Sequence, residues 1–280
     1  MRFALITDVH FGPRAYHEGK LRKMSERAPE LTARFVERMN AQERPELVFN
    51  LGDVIEDESR ALDLKRYREF AQILAGVSGR VQHVPGNHDQ VYLTREDLLS
   101  IWGHDAERVA KGELSNCSEL YYSFDFGGLH FLVLRTDEYK DHHIELPEVQ
   151  MEFAERDLGA TRLPTLVLMH HPASEQRLSG NRWFEKAPHV CRVRERGRLR
   201  RIFESSGRVV AVFNGHVHWN HLDVIAGIPY ITLQSLTENL DEDAPGRPAS
   251  AYAVCDIDAR SLHVDIRGEE PLRFQLELPR

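Results

Sequence analysis

The sequence is poor in cysteine and has no long apolar run. Its three cysteines, Cys117, Cys191 and Cys255, lie far apart and form no C-x-x-C pair, which predicts free thiols in a reducing compartment and no disulfide framework. No stretch approaches the length of a membrane span, and the apolar run at 3–7 ends at Asp8, too early for a signal peptide. These absences together predict a cytoplasmic protein that is not embedded in a membrane.

The sequence also lacks a basic excess. It has 36 lysines and arginines against 44 aspartates and glutamates, which gives a formal net charge of -8. Proteins that follow the phosphates of long nucleic acids usually carry an excess of basic residues, so this charge argues against such a partner. A small anionic ligand remains compatible with it, because a bound metal ion adds local positive charge that a residue count omits.

No repeat, low-complexity tract or interdomain linker interrupts the 280 residues. With 41% apolar and 29% charged residues, the composition is that of an ordinary globular protein, and the length suffices for one large core. We therefore predict a single domain over residues 1–280. The strands predicted from about residue 221 are expected to pack on this same domain.

Apolar runs bounded by turn signals alternate with helical patterns along most of the chain. Strands are predicted at 3–7, 46–52, 80–86, 120–134, 165–170 and 208–215, with a hairpin turn at 126–128. Helices are predicted at about 28–42, 62–77, 147–158 and 194–205. This alternation is typical of an α/β protein with a largely parallel, buried sheet. Antiparallel strands are predicted from 221 onward, and the segments 11–29 and 172–192 are predicted to be loops.

Five of the predicted strands end in aspartate, asparagine or histidine. The endings are Asp8-Val9-His10, Gly52-Asp53, Gly86-Asn87-His88-Asp89, His170-His171-Pro172 and Gly215-His216-Val217-His218. In open parallel sheets, ligands bind at the carboxyl ends of the strands. A turn or a helix cap explains any one of these motifs, but coincidental capping does not explain five of them in order. The motifs therefore predict one binding site built from five strand ends.

The residue types of this set predict a metal site. Imidazole and carboxylate ligands suit Mn, Fe, Co, Ni or Zn, and no cysteine belongs to the set. The candidates outnumber the ligands of one tetrahedral ion, so we predict two divalent transition-metal ions. Such pairs, ~3.5–4 Å apart, recur in enzymes that catalyse displacement at phosphorus. The candidate ligands are Asp8, His10, Asp53, Asn87, His170, His216 and His218.

The order D-x-H, G-D, G-N-H-D, H-H-P and G-H-x-H resembles that of the calcineurin-like metallophosphoesterases over residues 2 to about 240. Within this family it is most similar to the bacterial class III phosphodiesterases, which act on cyclic nucleotides and glycerophosphodiesters. The resemblance implies an α/β fold, a four-layer α/β/β/α sandwich with two mixed sheets, and a dinuclear site at its rim. A homodimer is common in the related group, although nothing in the sequence locates an interface.

The resemblance also implies a role for each motif residue. The first metal would be bound by Asp8, His10 and His218 and the second by Asn87, His170 and His216, with Asp53 as a bridging ligand. His88 would contact the phosphate and protonate or stabilise the leaving oxygen. In H-H-P the pattern points to His170, which leaves His171 for a hydrogen bond or a substrate contact, with an exchange of the two as the alternative. Asp89 either orients His88 or a ligand, or caps the helix that follows.

Two irregular loops flank the predicted site and carry further candidate substrate contacts, which are Arg14, His17 and Trp183. His142 and His143 are expected on a solvated loop. The arginine-rich segment 192–201 is typical of an exposed helix, and a patch that faces phosphate or nucleic acid is the alternative.

The implied reaction is the hydrolysis of a small phosphodiester, such as a cyclic nucleotide, by a hydroxide that bridges the two metals. The alternatives at the same site are a phosphomonoesterase, a nucleotide diphosphatase and a nuclease, and the acidic balance weighs against the nuclease. A non-catalytic scaffold is a further alternative. A scaffold would be expected to have lost ligands or the catalytic histidine, and here His88 and all seven ligand positions are filled.

Overall fold

Two six-stranded sheets pack face to face in the computed structural model, which describes residues 1–103, 115–116, 119–139, 141–241 and 243–278. The strands are β1 (Arg2–Ile6), β2 (Ala15–His17), β3 (Lys20–Lys23), β4 (Leu47–Asn50), β5 (Arg80–His83), β6 (Tyr122–Phe126), β7 (Leu129–Val133), β8 (Asp137–Glu138), β9 (Ile144–Glu145), β10 (Thr165–Leu168), β11 (Val209–Asn214), β12 (His221–Ile225), β13 (Ile228–Thr232), β14 (Tyr252–Ile257), β15 (Ser261–Arg267) and β16 (Leu272–Glu277). Cys191 and Cys255 are free and buried, whereas Cys117 lies outside the described residues.

Helices lie on the outside of both sheets. They are α1 (Ala28–Arg38), α2 (Arg60–Leu74), α3 (Arg95–Trp102), α4 (Glu148–Ala160) and α5 (Arg196–Ser206). Shorter 3₁₀ turns span Ser25–Arg27, His88–Gln90 and Pro188–Val190, and a π-helical turn spans Met39–Glu43. Within the described residues, no helix is long and apolar enough to cross a membrane.

Both large sheets are mixed. In the first, the order is β16-β15-β14-β1-β4-β5, and the parallel trio β1, β4 and β5 is extended by the antiparallel strands β14, β15 and β16. In the second, the order is β12-β13-β11-β10-β7-β6, and only the edge strands β12 and β6 run antiparallel to their neighbours. The carboxyl ends of the parallel strands therefore define one edge in each sheet.

Aromatic side chains fill the space between the two sheets. The ring centroid of Phe3 on β1 lies 5.8 Å from that of Phe213 on β11, and Phe49 on β4 lies 5.3 Å from Phe131 on β7. Helices α1 and α2 pack on the other face of the first sheet, and α4 and α5 pack on the second. Because β4 and β11 are buried on both faces, their sequences are continuous apolar runs and do not alternate.

The four-layer α/β/β/α sandwich with two mixed sheets is confirmed. All six predicted apolar runs contain strands, and the turn at Gly127 and Gly128 joins β6 to β7. Three expectations were wrong in detail. The alternation of strands and helices predicted a largely parallel sheet, but both large sheets are mixed. Antiparallel strands were predicted from residue 221 onward, but β13 runs parallel to β11. The segment 11–29, predicted to be a loop, contains the hairpin of β2 and β3.

Candidate metal centre

All seven candidate ligands lie where the carboxyl ends of the two sheets meet. Asp8, Asp53 and Asn87 follow β1, β4 and β5 of the first sheet, and His10 lies two residues after Asp8. In the second sheet, His170 follows β10, and His216 and His218 follow β11. Contacts join the two sheets directly, because His170 Nε2 lies 3.1 Å from Asp53 Oδ2 and His218 Nε2 lies 3.2 Å from Asp8 Oδ1. The five motifs are thus brought into one site.

The first cluster contains Asp8, His10 and His218, all buried. Nε2 of His10 lies 3.2 Å from Nε2 of His218 and 3.9 Å from Oδ1 of Asp8. Three atoms that can each bind a metal ion therefore lie close together. Lys23 and Glu56 lie on the other side of the His10 ring, with Lys23 Nζ 3.3 Å and Glu56 Oε1 3.6 Å from Nδ1.

The second cluster lies around His170. Its Nδ1 donates to the carbonyl oxygen of Leu51 at 2.8 Å, which turns Nε2 towards Asp53. Ligand atoms of His171 and His216 also lie close to His170. Nδ1 of His171 makes a hydrogen bond of 2.6 Å with Thr136 Oγ1, so Nε2 of His171 faces the same space as His216. His216 and His218 thus belong to different clusters.

Asn87 and His88 complete the site from the end of β5. The side-chain amide of Asn87 donates to Glu138 Oε2 at 2.7 Å, which leaves its carbonyl Oδ1 as the free end. Nδ1 of His88 lies 2.7 Å from Asp57 Oδ1, and Nε2 of the same ring lies 4.0 Å from Asp53 Oδ2. His88 therefore presents Nε2 to the site while Asp57 holds the opposite side of the ring.

The backbone at this site is held in an uncommon conformation. Asp8, His10, Asp53, His216 and His218 have φ angles of 50°, 51°, 53°, 66° and 53°, in the left-handed region. Such conformations cost energy in residues other than glycine, and they cluster at functional sites. Gly215 allows the segment after β11 to approach the segment after β1 closely, because a Cβ at this position would collide with the hydroxyl of Thr7 and the carboxylate of Asp8.

Asp89 stabilises the turn that carries Asp53. Its carboxylate accepts hydrogen bonds from the backbone N–H groups of Gly86, Asp53 and Val54 at 2.9, 3.0 and 2.8 Å. Burial and the nearby Asp53 raise the pKa of Asp89 to about 7. The helix-cap interpretation of Asp89 was wrong, because α3 begins after Thr94, whose side chain accepts from Asp97 N–H. Asp89 acts through the backbone of Asp53.

The free atoms of the site match what divalent ions require. Within the described residues, Asn87 Oδ1 and the Nε2 atoms of His171 and His216 are buried and have no hydrogen-bond partner, and Nε2 of His170 has the 3.1 Å contact with Asp53. Buried polar atoms without partners are rare, and amide oxygen and imidazole nitrogen are ligands of divalent metal ions, so these atoms fit a bound cation. Burial, followed by the neighbouring His170, lowers the pKa of His216 to about 3, which keeps the ring in the neutral form that binds metals.

Two other histidines of the site have raised pKa values. Burial opposes their charge, but Asp53 raises the pKa of His170 to about 9, and Asp8 raises that of His218 to about 9. A cation that binds between these groups replaces the protons, because metal ligands must be deprotonated. The donor set therefore fits two divalent ions of the transition-metal class.

The sequence profile of the calcineurin-like phosphoesterases matches residues 1–220. The chain belongs to this family. No curated protein matches it significantly. Within the calcineurin-like fold, the chain is similar to a dimetal phosphatase from Danio rerio, with 17% identity over 99% of both chains and a TM-score of 0.78. It is also similar to GAP50 of Plasmodium, described as the anchor in the inner membrane complex, with 12% identity over 100% of this chain and 89% of that chain and a TM-score of 0.58.

Of the predicted substrate contacts, His17 and Trp183 lie near His218, whereas Arg14 lies at the surface. The ring of His17 lies 5.2 Å from that of Trp183, which in turn lies 5.8 Å from His218, so both reach the rim of the site. Arg14 pairs with Glu26 at the surface, at 2.5 Å. Substrate contacts of these side chains and of His171 remain predictions.

The remaining charged features pair with neighbours on the protein. His142 is exposed and pairs with Glu138, and His143 lies 2.8 Å from Glu145 through Nε2. Residues 196–201 of the arginine-rich segment lie in α5, residues 192–195 precede this helix, and the arginines at 192, 196 and 200 all contact the carboxylate of Glu175. The helical interpretation is confirmed for 196–201, and the pairing with Glu175 neutralises part of the charge of the segment.

Proposed function

We propose that this calcineurin-like phosphoesterase binds two divalent transition-metal ions and hydrolyses small phosphodiesters. The observation that carries the choice of a diester is a cavity of about 940 Å³ beside Asn87 and His88. A phosphate group occupies only a small part of such a volume. The cavity therefore has room for the organic group of a phosphate ester, and its three carboxylates, Asp57, Asp137 and Glu138, against two arginines favour a singly charged diester over a doubly charged monoester.

The cavity wall favours an uncharged organic group. Its apolar part is formed by Val91, Leu93 and Leu120. Its arginines are already paired, since Arg135 Nη2 lies 2.6 Å from Asp137 Oδ2 and a guanidinium nitrogen of Arg95 lies 2.8 Å from a carboxylate oxygen of Glu119. A second phosphate would have to displace one of these carboxylates. A singly charged diester whose organic group is uncharged fits against the wall without displacing either carboxylate.

The proposed ligand sets follow the two clusters. Asp8, His10 and His218 would hold one ion, and His170 and His216, joined by Asn87 Oδ1, would hold the other, with Asp53 between them. His171, whose Nε2 lies in the same cluster, is the alternative to His170. When bound, the two ions polarise the phosphoryl oxygens and lower the pKa of water at the site. The donor types do not choose between Mn, Fe, Co, Ni and Zn.

The protein supplies a proton donor on the cavity side. His88 lines the cavity, and its Nε2 faces the site while Asp57 accepts the hydrogen of Nδ1. Burial opposes protonation of His88, but Asp53 and then Asp57 outweigh it and raise its pKa above the ordinary value. We infer that His88 Nε2 donates to a phosphoryl oxygen or to the leaving oxygen of the substrate.

Steady-state kinetics with matched substrates test this proposal. The protein, prepared with Mn²⁺, is assayed with bis(p-nitrophenyl) phosphate and with p-nitrophenyl phosphate, and then with cyclic nucleotides, glycerophosphodiesters and nucleotide diphosphates. We expect a higher kcat/KM for diesters than for monoesters. A preference for monoesters or nucleotide diphosphates would replace the diesterase by one of these alternatives. No turnover of any substrate by folded protein with any first-row metal would exclude an enzyme.

A further inference from the structure

We propose that Glu238 is a positioning residue that orients the candidate ligand His218 and couples it to Trp183 in the 172–192 segment. This inference rests on the proposed metal-dependent function. Glu238 lies after β13, beyond residue 220, where the match to the family ends. No motif of the sequence points to it.

A single carboxylate oxygen carries both contacts. Oε2 of Glu238 lies 2.7 Å from Nδ1 of His218 and accepts the indole N–H of Trp183 at 3.1 Å. An ionised carboxylate only accepts hydrogen bonds, so Nδ1 of His218 carries the hydrogen. Nε2 of the same ring is then the atom that faces Asp8. A carboxylate behind a histidine fixes its tautomer and ring orientation in metal sites.

The backbone around Glu238 is tied to the same site. The hydroxyl of Ser235 donates to the carbonyl oxygen of Asp8 at 2.8 Å and accepts the N–H of Glu238 at 3.1 Å. On its other side, the backbone of Glu238 forms an antiparallel β-bridge with that of Lys23 at the end of β3. The Glu238 side chain is 5% exposed, so water does not compete for its oxygens. Its position is therefore fixed by the fold and not by the two side chains that it binds.

Trp183 forms part of the wall of the site on this side. Its ring lies 5.8 Å from the ring of His218, and the ammonium group of Lys23 lies 5.6 Å from its centre. The 172–192 segment is also held by Asn181, whose amide donates to the carbonyl oxygen of Val217 at 2.9 Å. The carboxylate of Glu238 thus orients both the candidate ligand His218 and the aromatic ring of Trp183, against which a substrate would bind.

Two substitutions separate these contacts. Glu238→Gln keeps the size of the side chain but removes its charge, whereas Trp183→Phe removes the indole N–H together with part of the ring and keeps a smaller aromatic side chain beside His218. Glu277→Gln, on the exposed edge of β16, is the matched control. The readouts are the number and affinity of bound Mn²⁺ ions after dialysis, the visible absorption of the Co²⁺-loaded protein, and kcat and KM for bis(p-nitrophenyl) phosphate.

We expect Glu238→Gln to weaken the binding of one ion by about 10–100-fold and to change the Co²⁺ absorption. Trp183→Phe is expected to keep wild-type metal content and Co²⁺ absorption while raising KM, and Glu277→Gln should match wild type throughout. Glu238→Asp, which keeps the charge on a shorter side chain, should recover part of the metal affinity. It also serves as the second test if the Gln variant does not fold.

Wild-type metal affinity and Co²⁺ absorption in a folded Glu238→Gln variant, or in Glu238→Asp where only that variant folds, would overturn this inference alone, with the phosphoesterase intact. A Trp183→Phe variant that loses metal would overturn the separation of the two contacts. A wild-type protein that binds neither Mn²⁺ nor Co²⁺ would overturn the proposed function and this inference together.

Discussion

Nδ1 of His88 lies 2.7 Å from Oδ1 of Asp57, and the two residues come from different strand ends of the first sheet. This contact orients the imidazole so that Nε2 points to the site and to the cavity. His88, unlike His171 and His216, therefore lines the cavity in which we propose that the substrate binds.

His88→Ala is expected to reduce kcat by about 10²–10⁴-fold, the usual contribution of a proton donor, and to leave metal content nearly unchanged. Metal content by elemental analysis and kcat with bis(p-nitrophenyl) phosphate measure the two effects. Loss of metal in this variant would mean that His88 is a ligand and not the proton donor.

Asp57→Asn is expected to reduce kcat by about tenfold, less than His88→Ala, because the amide oxygen still accepts from Nδ1 but carries no charge. In the double variant the loss should equal that of His88→Ala alone, since Asp57 acts through the imidazole. The four kcat values form a double-mutant cycle. Additive losses would contradict a shared role.

Gly215→Ala is expected to destabilise the fold by about 1–3 kcal/mol and to weaken metal binding, because its Cβ would displace Thr7 and Asp8. Gly159→Ala on α4 is the matched control, since no heavy atom lies within 4 Å of its added Cβ. This control should be neutral or stabilise by up to about 1 kcal/mol. Urea denaturation measures both, and equal stability of the two variants would contradict the close approach at Gly215.

His130 predicts a pH dependence of stability far from the metal centre. Its Nδ1 lies 2.6 Å from Asp125 Oδ1 and its Nε2 lies 2.7 Å from Asp157 Oδ2 on α4. Burial opposes the charge, but the hydrogen bonds to Asp157 and Asp125 outweigh it and raise the pKa of His130 above 6.5. A raised folded pKa gives stability that is complete below the unfolded pKa and is lost as pH rises through the folded value.

His130→Gln should therefore destabilise the protein most below about pH 6.5, and the difference from wild type should shrink at higher pH. Urea denaturation of both proteins in the same buffers, from about pH 5.5 to about pH 9, measures this difference. A difference that stays constant or grows with pH would contradict a protonated His130 bridging the two carboxylates.

The sequence was sufficient to predict the central strands and to place the five motifs at strand ends that lie together. Strands such as β4 and β11 are buried on both faces, so they must be continuous apolar runs that are visible without a structure. The ligand motifs follow these runs directly, and the parallel strands bring their ends together. The order of apolar runs and motifs along the sequence was therefore enough to predict which segments lie together in the fold.

The residues that orient the ligands could not be found in this way. Asp57, Glu138 and Glu238 each contact a site residue that is distant in sequence, and nothing in their spacing distinguishes them from the other carboxylates of the sequence. The hairpin of β2 and β3 was missed because its sequence is charged and has no apolar alternation. Its place is set by contacts with the segment after β13, such as that between Met24 N–H and the carbonyl oxygen of Thr237.

The strand order of the first sheet has a consequence for how the chain is synthesised. β1 lies between β4 and β14, so one of its edges pairs with residues 47–50 and the other with residues 253–256. During translation every strand of the second sheet, including the one that delivers His216 and His218, leaves the ribosome before that second edge can be covered. A nascent chain thus carries an open edge of β1, a template for pairing with other chains, until β14 returns to close it.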